Sequence, residues 1–84
     1  MTTGEPDWRD VAKEIYRLAQ SELLEHMATV SPDHLAEFYK EELREALLDL
    51  KQAVVQGRQA DAMACVDEIN IYLFELRRRS RGQP

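Results

Sequence analysis

Any chemistry in this 84-residue chain would have to come from two histidines, one cysteine and sixteen carboxylates. Glu22 and His26 stand four residues apart and so share one helix face, while His34, Glu37 and Glu41 share another. Zinc needs three or four ligands, mostly nitrogen or sulfur, and two histidines do not supply them. A helical di-iron site needs Glu-x-x-His pairs aimed into a bundle core, whereas the residue three after Glu22 is Glu25. Cys65 has no base near it in sequence, Ser21 and Ser31 have no flanking motif, and no glycine-rich loop exists to cradle phosphate. The carboxylates fall on faces expected to be solvated, where nothing raises a pKa toward neutrality. The inventory therefore predicts no catalytic residue, no metal and no cofactor, and a protein that is not an enzyme.

Two charged clusters remain as candidate contacts. Arg77, Arg78, Arg79 and Arg81 form a basic tail over residues 77–84 that contains no acid. Clustered guanidinium groups can grip phosphate bidentately, which makes the tail a candidate anion contact. The competing reading is neutralisation, because the arginines end a helix whose dipole is negative there and should lie beside Asp33, Glu37 and Glu41. Asp33, Glu37, Glu41 and Glu45, continuing to Asp49, recur at four-residue steps and form a candidate docking ladder for a basic partner. The chain as a whole carries −5. Without the tail it holds seven basic and sixteen acidic residues, a net of −9, and an acidic body of that kind repels nucleic acid over most of its surface.

The elements that must position these residues are helices. Apolar residues recur at three- and four-residue steps from Trp8 through Val11, Ala12, Ile15, Leu18, Ala19 and Leu23 to Met27 and Val30, predicting a first helix over about 6–29. At Val30-Ser31-Pro32-Asp33, Ser31 is suited to cap a helix, Pro32 to occupy its first position, and Val30 to pack on Leu35. The second helix is expected over about 32–56, burying Leu35, Phe38, Tyr39, Leu43, Ala46, Leu47, Leu50, Ala53 and Val54, with Gly57 taking the left-handed position that ends it. A short connection then forces a third helix, about 59–79, to fold back antiparallel. Its core stripe is Ala62, Val66, Ile69, Leu73 and Leu76, with Cys65 and Tyr72 beside it.

The segment Ile69-Asn70-Ile71-Tyr72-Leu73-Phe74 is apolar nearly all round, and three helices offer too few neighbours to cover it. Ile69, Asn70, Ile71 and Phe74 are therefore the expected partner or dimer interface, with Asn70 able to fix its register. The composition, 44% hydrophobic and 32% charged, is that of a folded helical domain. One cysteine excludes an internal disulfide and fits a reducing cytoplasm, and no stretch has the length and apolarity of a signal or a membrane span. The sequence thus predicts an all-α, up-down-up three-helix bundle over residues 1–84, pairing with itself as a homodimer. The expected function is that of a small cytoplasmic protein-interaction module: an adaptor, a regulator or a dedicated chaperone. The alternative is a nucleic-acid-associated regulator using the arginine tails of a dimer; no membrane and no small-molecule substrate is implied.

Overall fold

A computed structural model describes residues 7–28 and 33–80 of the chain. Three helices pack together: α1 (Trp8–Met27), α2 (His34–Gln56) and α3 (Gln59–Ser80). Among the described residues there are no strands, and no helix is long and apolar enough to cross a membrane.

The α2/α3 hairpin is the tightest part of the fold, and its turn explains why. Gly57 adopts φ 73°, the left-handed conformation that glycine reaches without a Cβ clash. Its N–H donates to the Val54 carbonyl at 3.2 Å and the Arg58 N–H to the Ala53 carbonyl at 2.9 Å, which satisfies two carbonyls left over at the helix end. Gln59 then opens α3, leaving a two-residue connection between antiparallel helices.

The start of α2 differs from the sequence expectation. The N-cap is Asp33, not Ser31: Asp33 has extended backbone, its carboxylate accepts from the Leu35 N–H at 2.9 Å, and its carbonyl accepts from Ala36 and Glu37. The helix begins at His34, two residues later than expected. The Val30 staple, Ser31 and Pro32 lie outside the described residues, as does Arg81.

The core is built from alanines that let the helices approach and from leucines that fill the remaining space. Among the described residues, six of the thirteen buried apolar ones are alanine, and the largest fully buried side chains are Leu43, Leu50, Ile69 and Leu76. On α1 the buried line is Ala12, Ala19 and Leu23, with Trp8, Ile15 and Tyr16 packed against it. Val11, Leu18 and Met27, expected inside, are exposed. On α2 the first buried residue is Ala36, while Leu35 and Phe38, also expected inside, stay about half exposed. The core stripe of α3 is as expected, except that Val66 is only partly covered.

Candidate functional site

The face of α3 turned away from the bundle departs from an ordinary solvated helix. Ala62, Ile69, Leu73 and Leu76 point inward. On the opposite side the helical period places Asp67, Ile71, Phe74 and Arg78 in one line, all exposed. Ile71 is 58% and Phe74 62% exposed, high values for side chains of that size. Asn70 is exposed next to them. Ile69 is fully buried and offers no surface, so it belongs to the core and not to the expected interface.

A second helix extends this patch. Arg77 donates from Nε and Nη2 to the two carboxylate oxygens of Glu22, both at 2.7 Å, so α1 and α3 are held at a fixed level along their shared seam. One turn before this pair, Leu18 on α1 and Phe74 on α3 come to the same level, and Leu18 is 51% exposed. α1 thus adds an exposed apolar side chain at the level of Phe74.

The arginines have structural partners. Arg79 Nη1 donates to Asp33 Oδ2 at 2.9 Å and its guanidinium lies 5.4 Å from the centre of the Tyr39 ring. Asp33 thus caps α2 with one oxygen and clasps the end of α3 with the other. Arg78 pairs with Glu75 at 2.8 Å within its own helix. Each of the three described arginines of the tail is engaged by a carboxylate, which leaves less charge free for phosphate than the sequence suggests. The Arg77 hydrogen bonds hold the Glu22 carboxyl below its ordinary value, and the Arg79 contact does the same for Asp33; both guanidinium groups are pushed up in turn. The Glu22 pair joins residues 55 apart, and no spacing rule in the sequence could have found it.

The acidic ladder is not a single surface. Asp33 is taken by Arg79, while Glu37 pairs with Lys40 at 2.8 Å and Glu41 with Arg44 at 3.2 Å on the same helix. Glu45 has different neighbours, its charge acting on Tyr72 of α3. Burial, then Asp49, Glu68 and Asp61, push up the Cys65 thiol; burial, then Glu68, Glu42, Tyr39 and Glu45, push up the Tyr72 phenol. Carboxylates of α2 and α3 thus gather around Cys65 and Tyr72, and the half-buried Cys65 holds its proton more firmly than an exposed thiol does. His26 Nε2 lies 3.3 Å from Glu22 Oε2, the same carboxylate that Arg77 grips. Among the described residues no group of three or more His, Cys, Asp or Glu side chains is arranged to hold a metal ion. No family model, no curated protein and no solved structure matches this chain.

Proposed function

We propose that this protein is a non-enzymatic interaction module whose α3 face pairs with α3 of a second copy in antiparallel sense. The observation that carries the reading is the symmetry of the exposed line Asp67, Ile71, Phe74, Arg78 about its midpoint. If the line is laid against itself in reverse, Ile71 meets Phe74 of the other copy, twice, and Asp67 meets Arg78 of the other copy, twice. Such a pairing is self-complementary, as a two-fold interface requires. It buries an apolar centre, including the neighbouring Leu18, under a charged rim that selects direction. In a parallel arrangement Asp67 would face Asp67 and Arg78 would face Arg78.

The rim makes a sharper test than the centre. Phe74→Glu should convert a dimer to a monomer by light scattering, with the circular dichroism of the folded chain retained. Asp67→Arg alone places two like charges together at each end and should weaken pairing severalfold, and Asp67→Arg with Arg78→Asp should restore it. Unchanged mass in Phe74→Glu ends the proposal that this face pairs, and loss in the single reversal without rescue in the double one ends the antiparallel arrangement.

A further inference from the structure

We infer that the groove between α1 and α2, on a different side of the molecule from the pairing face of α3, is a docking site for an acidic amphipathic helix of another protein. Its floor is apolar: Ala12 and Leu50 are fully buried, Tyr16 and Val54 are half-covered, and Val55 on its edge is 77% exposed. Its volume is about 230 Å³. Small-molecule sites generally run from about 300 to 1,000 Å³, so this groove suits one or two inserted side chains better than a whole ligand. A helix lying along a groove between two helices presents such anchors at three- and four-residue steps.

Charge identifies what kind of helix. Seven arginines and lysines among the described residues pair with a carboxylate: Arg17, Lys40, Arg44, Arg58, Arg77, Arg78 and Arg79. Lys13 and Lys51 do not, and they stand on the two walls of this groove. Arg9, near its end, is likewise without a carboxylate; it reaches toward the Val54 carbonyl at 3.5 Å and lies 4.8 Å from the Trp8 ring centre. Among the described residues, the three cations without a carboxylate partner thus converge on one place in a chain with an excess of acid. For Lys51 the cause is local: its helical neighbours at three and four residues are Leu47, Leu48, Val54 and Val55, and none is an acid. Open positive charge over an apolar floor complements a helix with leucine-like anchors between glutamates or aspartates. A nucleic acid would use the charge and leave the floor uncovered.

The test uses a fluorescein-labelled synthetic peptide in which leucines at helical spacing alternate with glutamates, titrated against the full chain by anisotropy. Saturable binding is expected. Each exposed charge pair contributes a modest amount, so Lys13→Glu with Lys51→Glu should weaken binding by roughly tenfold. Val55→Asp should also weaken it, and Phe74→Glu should leave it unchanged, which separates this site from the α3 face. A peptide with glutamine in place of every glutamate should bind less well. Circular dichroism of each variant shows whether it has folded, and Lys13→Gln with Lys51→Gln repeats the measurement without charge reversal. No binding of the glutamate peptide, binding indifferent to the lysine changes, or tighter binding of a DNA duplex or of phosphatidylglycerol vesicles overturns the inference.

Discussion

Single residues hold the ends of this bundle together, and the clearest is Arg77. Its two hydrogen bonds to Glu22 fasten α3 to α1, and Glu22 ionises below its ordinary value of 4.5 because of them. A carboxylate with a folded-state pKa below its unfolded one adds stability above the unfolded value and loses it as pH falls through the folded value. The pair therefore contributes fully at neutral pH and fades below about pH 4.5. Arg77 is more than half exposed, so solvent screens the bond, and Arg77→Met should cost only about 0.5–1 kcal/mol at neutral pH. Once the pH is low enough to protonate Glu22 in the folded chain, the variant and the parent should unfold at nearly the same urea concentration. A difference that persists in acid would mean that Arg77 acts through the packing of its stem and not through its charge. Spacing along the sequence led to Asp33, Glu37 and Glu41 as partners for the arginines, and only Asp33 became one. Spacing ranks neighbours within a helix, and it is silent on which two of three helices meet at a given level.

At the scale of the helices, the parts most legible in the sequence were those fixed by backbone chemistry. Gly57 marks a turn because only glycine takes φ 73° without strain, and the structure has it there. Gly57→Ala should destabilise the hairpin by about 1 kcal/mol, the cost of holding a Cβ in the left-handed region. The new Cβ would also come 3.0 Å from Arg9 Nη2, the mobile end of a long side chain that can move aside, so strain and not collision should set the loss seen in denaturant titration. What the sequence concealed was the rotation of α1 and of the first turn of α2. Val11, Leu18, Leu35 and Phe38 are larger and more apolar than Ala12, Ala19 and Ala36, and hydrophobic spacing therefore favours burying them. Close helix packing favours the alanines, which let backbones approach, and each helix here has only two neighbours. Alanine therefore took the contact line and the larger side chains were left at its margins. The same rule left Leu18 exposed at the level of Phe74, although periodicity alone had assigned it to the core. The groove cations were missed for a related reason: Lys13 and Lys51 are far apart in sequence and become neighbours only once α1 and α2 lie antiparallel.

For the whole molecule the decisive quantity is how little the chain buries on its own. Domains of this size cover a smaller fraction of their surface than larger ones do, and here nearly half of the buried apolar residues are alanines, which contribute least per residue. Charge is divided as well: carboxylates of α2 and α3 gather around Cys65 and Tyr72, while the described cations without a carboxylate partner stand along α1/α2. If the α3 face pairs as proposed, folding and pairing are one linked equilibrium, because a partner that binds only the folded state stabilises it by mass action. The melting temperature of the full chain should therefore rise with protein concentration, by roughly 5 °C for a hundredfold increase in a domain of this length. Phe74→Glu should melt at one temperature throughout that range, close to the dilute limit of the parent. Lys13→Glu with Lys51→Glu should keep the parent's concentration dependence, since the proposed pairing face does not include the groove. A parent melting temperature independent of concentration would leave α3 unpaired at every concentration tested, and the bundle would then owe its stability to the Leu43, Leu50, Ile69 and Leu76 core alone.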